Sequence, residues 1–135
     1  MLKVLIVDDD FMVADCLEEI LVEAGYQVCG IAGTIEDAIA LGEEHHPDLG
    51  IIDLRLADGR YGTEVAAALR TRGAFGVLYA TGNPDHPILR EAEGEGYIAK
   101  PYTSTAILAA LRNVTKLMST PATRRRPVDL ATRAF

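Results

Sequence analysis

Six side chains, spread over four short segments of this 135-residue chain, are of types that could do chemistry together: Asp8, Asp9 and Asp10 in one run, then Asp53, Thr81 and Lys100. The first three follow the apolar stretch LKVLIV, and Asp53 follows LGII. Carboxylates that converge in one pocket raise one another's pKa or hold a cation. Oxygen-only ligation suits Mg2+, which dehydrates reluctantly and takes one or two carboxylates, several waters and a phosphoryl oxygen. Lys100 and Thr81 would then donate to the remaining phosphoryl oxygens, leaving Asp53 as a nucleophile. Asp10 reads differently, as the cap or first-turn residue of a helix.

The pocket exists only if the fold brings these segments together. Short β-rich apolar runs alternate five times with segments of helical period. Strands are expected over 2–7, 27–32, 48–52, 75–80 and 97–99. Helices are expected over 11–24, 34–44, 63–72, 85–92 and 103–118, the fourth being short and interrupted by Pro87. The fifth carries Ile107, Leu108, Leu111, Val114 and Leu117 on one face. A regular βα repeat implies right-handed crossovers and helices on both faces of a parallel sheet. The expected class is α/β, a flavodoxin-like, doubly wound five-stranded parallel sheet in the order 2-1-3-4-5 with five helices. Ligands gather at the carboxyl ends of such strands. Strands 1, 3, 4 and 5 are neighbours in that order, which puts all six residues on one edge.

Composition bounds the function. A hydrophobic fraction of 49% with 24% charged residues is that of a globular domain. No apolar stretch approaches a membrane span and the N-terminus lacks the pattern of a secretory signal, so no membrane association and a cytoplasmic location are expected. Cys16 and Cys29 have no metal-like spacing. The net charge of −7 is unevenly distributed: residues 1–118 hold 19 acids against 9 Lys and Arg, whereas 119–135 hold one acid against four Arg. An acidic body argues against direct nucleic-acid binding, which needs a basic stripe. The chain is therefore expected to divide into a domain over 1–118 and a basic C-terminal tail over 119–135, with no second, output domain expected in that tail. Seventeen residues with two prolines and no apolar period cannot fold alone. Arg124, Arg125 and Arg126 make that tail a solvated one in the simplest reading. The alternative is a segment, VDLATRAF, that docks on this or another acidic body. His45 and His46, ahead of Pro47, suit a helix end, and His86 a surface loop.

The motifs VLIVDDD, IIDLRLADG, YATGN and YIAKPY, in that order and spacing, resemble the receiver domain of two-component response regulators over residues 2 to about 118. The resemblance implies that Asp8 and Asp9 bind Mg2+, Asp9 directly and Asp8 more through water, with Asp53 and the backbone carbonyl of Arg55 completing the protein ligands. It implies that Asp53 is phosphorylated by a histidine kinase or a histidine phosphotransfer protein. Thr81 becomes the switch hydroxyl, Lys100 the phosphate-pairing lysine, Tyr97 the switch aromatic, and Pro101 the site of a cis peptide. The signal would pass to a downstream protein partner through the face of the fourth helix, fifth strand and fifth helix, with a homodimer among the assemblies open to it. Such a chain is no enzyme beyond its own phosphotransfer and autodephosphorylation. Arg55 and Asn83 stand where this family tunes water attack on the acyl phosphate, and an intermediate or slow loss is expected. Arg55 could shield the phosphoryl group or reach an acid such as Asp85. Two other readings use the same residues: a receiver-fold interaction module that works without phosphorylation, and a Mg-dependent aspartyl phosphohydrolase with Asp8 as nucleophile and Asp10 as acid. The second leaves Asp53 and Tyr97 unexplained. A flavodoxin-like cofactor protein would need a Ser/Thr/Gly-rich phosphate loop after the first strand, and DDDF is its electrostatic opposite.

Overall fold

Strict alternation of apolar side chains builds a sheet covered on both faces. In β1 (Lys3–Val7), Val4 and Ile6 join the apolar layer on one side and Leu5 and Val7 the layer on the other, all four essentially without exposure. The computed structural model describes residues 1–118 and 127–131. Within them β1 is followed by α1 (Phe11–Glu23), β2 (Gln27–Ala32), α2 (Ile35–His45), β3 (Leu49–Asp53) and α3 (Thr63–Arg70). Then come β4 (Gly76–Thr81), a 3-10 turn (Pro87–Arg90), β5 (Gly96–Ala99), α4 (Ser104–Met118) and β6 (Val128–Asp129). The strands are all parallel, in the order β2-β1-β3-β4-β5-β6. The expected flavodoxin-like α/β class and the order of its first five strands hold.

The two layers divide the helices. Leu17 and Leu21 of α1 and Ile107, Leu111 and Val114 of α4 pack with Val4, Ile6, Ile51, Leu78 and Ile98. Ile35 and Ala38 of α2 and Val65 and Leu69 of α3 pack with Leu5, Val7, Ile52, Val77 and Tyr79. Helix ends follow local chemistry. The Asp10 carboxylate accepts from the amides of Met12 (3.1 Å) and Val13 (3.3 Å), and Thr34 Oγ1 accepts from Asp37 N (3.1 Å). His46, in the left-handed conformation, closes α2, so His45 and His46 form a helix end.

Two expectations need correction. The fourth helix over 85–92 is only the 3-10 turn Pro87–Arg90, leaving four α-helices among the described residues instead of five. Pro87 removes an amide donor, Gly94 follows soon after, and His86 Nδ1 takes the Ile88 amide (3.2 Å), which together leave too few residues for an α-helix. The sheet has six strands instead of five, because the described part of the C-terminal segment pairs with β5, Gly96 opposite Val128 and Tyr97 opposite Asp129. Leu130 is fully buried, so 128–130 do not belong to a solvated tail. Arg124, Arg125 and Arg126 lie outside the described residues. A right-handed step from β5 to a further strand on that edge would have placed α4 on the α2–α3 face; it lies on the α1 face. β6 is therefore not announced by the βα rhythm that predicts the other five strands.

Candidate functional site

Strand register brings the predicted groups to one edge. Val7 pairs with Ile52, so Asp8 and Asp53 are the next residues on adjacent strands, and Asp8 N donates to the Ala32 carbonyl (2.9 Å). Asp53 pairs with Ala80 and Thr81 with Ala99, and Lys100 N donates to the Thr81 carbonyl (2.8 Å). Carboxylate oxygens of Asp8, Asp9 and Asp53 lie within 4.8 Å of one another. Lys100 Nζ bridges two of them, 3.1 Å from Asp8 Oδ2 and 3.3 Å from Asp53 Oδ2. Asp10 stays out of the cluster as the helix cap, its amide donating to Asp8 Oδ1 (2.9 Å) and thereby orienting that carboxylate.

The charge balance is strained by design of the sequence. Burial pushes the Asp53 carboxyl up to about 6; Lys100 opposes this, while the Asp8 and Asp9 charges add to it. Burial also disfavours the Lys100 ammonium, yet the Asp53 and Asp8 carboxylates outweigh it and hold its pKa above the ordinary lysine value. One ammonium thus pairs with two of the three carboxylates, leaving the pocket with an excess of negative charge. A divalent cation fits that excess and that all-oxygen donor set.

The loop after β3 is positioned by main-chain contacts. Arg55 and Tyr61 form an antiparallel bridge whose hydrogen bonds are made by their neighbours, Leu56 N to the Arg60 carbonyl (2.9 Å) and Gly62 N to the Leu54 carbonyl (2.8 Å). The Arg55 carbonyl takes no part in that bridge. Gly62 is required by close approach: a Cβ there would lie 2.2 Å from the Asp53 carbonyl oxygen and 2.4 Å from Ile52 Cγ2. The Arg55 guanidinium stands 5.9 Å from the centroid of the Tyr61 ring, and Tyr61 Oη lies 3.2 Å from His86 Nε2. These contacts join the β3 loop to the β4 loop and make His86 a half-buried bridging residue, not a free surface one. Tyr61 carried no signal in the sequence, because an isolated aromatic in a polar loop has no period.

The Thr81 side chain is buried, and its Oγ1 accepts from Asn83 N (2.9 Å), which leaves the hydroxyl hydrogen for donation. Asn83 Oδ1 in turn accepts from Asp85 N (3.3 Å). Tyr97 pairs with Tyr79 and Ala99 with Thr81, so Tyr97 and Thr81 stand on the same face of the sheet. Burial raises the Tyr97 phenol, and the Asp129 and Asp85 charges add to the shift. The Lys100–Pro101 peptide bond is cis.

Residues 4–112 match the response regulator receiver domain, and the chain belongs to that family. It is 29% identical over 112 residues to the transcriptional regulatory protein PdtaR of Mycobacterium tuberculosis, a match covering 81% of this chain and 54% of the relative. The chain thus spans about half the length of the curated relatives it matches. Among solved structures, a CheY-like receiver domain protein from Methanospirillum hungatei aligns with TM-score 0.78 and 28% identity, covering 87% of this chain and 96% of that one. The receiver domain of Erythrobacter litoralis PhyR aligns with TM-score 0.81 at 20% identity over 90% and 95%, a likeness of fold. Among the described residues no helix is long and apolar enough to cross a membrane.

Proposed function

We propose that this chain is a phosphorylation-dependent switch that accepts a phosphoryl group on Asp53 from a histidine kinase or a histidine phosphotransfer protein. The observation that carries the reading is the cluster of Asp8, Asp9 and Asp53 carboxylates, with Lys100 Nζ bridging Asp8 and Asp53. Family membership supports it. Asp53 is the nucleophile because it stands at the end of β3 with Lys100 beside it, opposing the Asp8 and Asp9 charges that crowd it. A carboxylate with a pKa of about 6 is mainly ionised at neutral pH, as an attacking oxygen must be.

Asp8, Asp9, Asp53 and the carbonyl of Arg55 would hold Mg2+, whose charge would offset that on nucleophile and phosphoryl oxygens alike. Asp53 Oδ forms the new bond to phosphorus as the P–N bond of the donor phosphohistidine breaks, and the imidazole leaves with that electron pair. The Lys100 ammonium pairs with one phosphoryl oxygen of the acyl phosphate, and Thr81 donates its hydroxyl hydrogen to another. Thr81 and Tyr97 share a face, so movement of the hydroxyl changes the space open to the Tyr97 ring. This biases the surface around β5, α4 and the 3-10 turn between two arrangements that a protein partner can distinguish. The Arg55 guanidinium, seated over Tyr61, and Asn83, fastened to Thr81 Oγ1, border the approach of water and make loss of the phosphoryl group intermediate or slow.

The test is incubation with Mg2+ and a small acyl-phosphate donor, followed by intact mass. A single phosphoryl adduct is expected on the wild-type chain and none on Asp53→Asn. Equal adducts on both would overturn the assignment. A phosphoryl half-life of seconds or less would overturn the shielding role of Arg55 and Asn83.

A further inference from the structure

The place that β6 fills is shaped by β5 and α4. A Cβ at Gly96 would lie 2.3 Å from Leu130 Cγ, 2.4 Å from Leu130 Cδ1 and 2.4 Å from the Val128 carbonyl oxygen, so its three nearest atoms all belong to the docked strand. Leu130 itself has no exposed surface and joins the apolar layer of Ile98, Ile107 and Val114. Its amide donates to the Tyr97 carbonyl (3.1 Å), and its carbonyl accepts from Asn113 Nδ2 (3.0 Å). Asn113 is 8% exposed and sits among Ala110, Leu111 and Val114 on the inner side of α4. An amide in that position reads a main-chain carbonyl and is indifferent to the side chain that carries it. A glycine that admits a backbone, a cavity for one leucine and donor–acceptor pairing to the main chain are together the means by which a sheet edge takes up an added strand.

The occupant is held lightly. Two residues make up the ladder, and α4 stands on the face opposite to that of a regular crossover. Tethering supplies the rest, since a segment of the same chain is present at high effective concentration. We propose that the outer edge of β5 is a strand-accepting seat for an extended, leucine-bearing segment, filled in cis by residues 127–131, and that a partner strand of the same pattern competes with this segment for it. Tyr97 supplies the accepting carbonyl and pairs with Asp129, so exchange of the strand alters the surroundings of the proposed switch aromatic. That this edge is an output surface rests on the function proposed above; the seat itself does not.

The experiment is amide NMR on the full chain, wild type and Leu130→Asp, titrated with a blocked peptide of residues 127–131 (PVDLA). In the wild type the Leu130 amide exchanges at least about tenfold more slowly than in an unstructured segment. In Leu130→Asp the seat is vacated, and the peptide shifts the signals of Gly96, Tyr97 and the Asn113 side chain at millimolar concentration. The wild type responds at least about tenfold more weakly because its own segment is in place. A peptide with Asp at the leucine position leaves both unchanged. Should Leu130→Asp lose its overall fold, Leu130→Ala carries the same comparison at smaller amplitude. The proposal is overturned by an unprotected Leu130 amide, by equal response of wild type and variant, or by no shift in the folded variant. A wild-type dimer that loses Leu130 protection on dilution also overturns it, since the resident strand would come from a second copy. No step requires phosphorylation, so a chain that fails to form an Asp53 adduct leaves this result to be read separately.

Discussion

Lys100, at the carboxyl end of β5, and Gly96, at its amino end, serve two regions that are held together in different ways. Around Lys100, four strands contribute side chains that repel or attract over short distances, and their positions are set by ladders buried in the middle of the sheet. The ladders keep these groups close, so the charge imbalance is retained, and in the function proposed above it serves a cation and a phosphoryl group. Around Gly96 the contacts that hold the docked strand are apolar and main-chain. One leucine, one amide side chain and a two-residue ladder hold a strand at the edge of the sheet, paired with β5 alone. The first region stores electrostatic strain in a rigid frame, and the second stores little and can open locally.

The contrast predicts how far each perturbation spreads. Asp53→Asn abolishes the phosphoryl adduct yet leaves Leu130 amide protection unchanged in the unphosphorylated chain; hydrogen exchange that rises at Leu130 would show the two regions are not separable. Gly62→Ala drives a methyl group into the Asp53 carbonyl and costs about 2–3 kcal/mol of global stability, read by denaturant unfolding. Lys100→Gln slows phosphorylation by about tenfold or more, as loss of one charge-stabilising donor should, measured as the rate of adduct formation at fixed Mg2+.

Asp53 also gives the pocket a signature in pH. Its folded value of about 6 stands above the ordinary 3.8. Below the ordinary value both folded and unfolded chains hold the proton, and the carboxyl has no effect on stability. Between the two values only the unfolded chain ionises, so the penalty on folding grows with pH and is complete above the folded value. Without divalent ions, Asp53→Asn therefore stabilises the chain by about 1–2 kcal/mol at neutral pH, with the pocket's open side reducing the effect, and by nothing near about pH 3. The comparison is between denaturation midpoints across that range. Leu130→Ala is the mildest change: a buried leucine in a fixed core would cost more, but local undocking caps the loss at about 1–2 kcal/mol.

What the sequence made legible follows the same division. Continuous apolar runs such as VLIV and GII, each ending in acids, announce central parallel strands, and the order of those strands carries Asp8, Asp9, Asp53 and Lys100 to one place. Asp10 and Thr34 announce helix starts through short-range chemistry, and both cap as expected. The stretch 85–92 was ambiguous because Pro87 and the glycines beyond it outweigh two or three apolar residues. VDL is too short to show a period, and its seat depends on Gly96 and Asn113, which are far from it along the chain. Tyr61 and His86 meet across two polar loops, a contact with no local signature. Long-range pairing of single residues in loops and at edges is what a pattern of nearest neighbours leaves out.

The central claim is that Asp53 is the acceptor, and chemical mapping tests it most directly. After phosphorylation with Mg2+ and an acyl-phosphate donor, borohydride cleaves an aspartyl phosphate to homoserine, which peptide sequencing by mass locates. The account predicts homoserine at position 53 alone, with its yield dependent on Mg2+. Homoserine at Asp8 or Asp10, or its absence from Asp53 in a folded chain that carries the adduct, would contradict it.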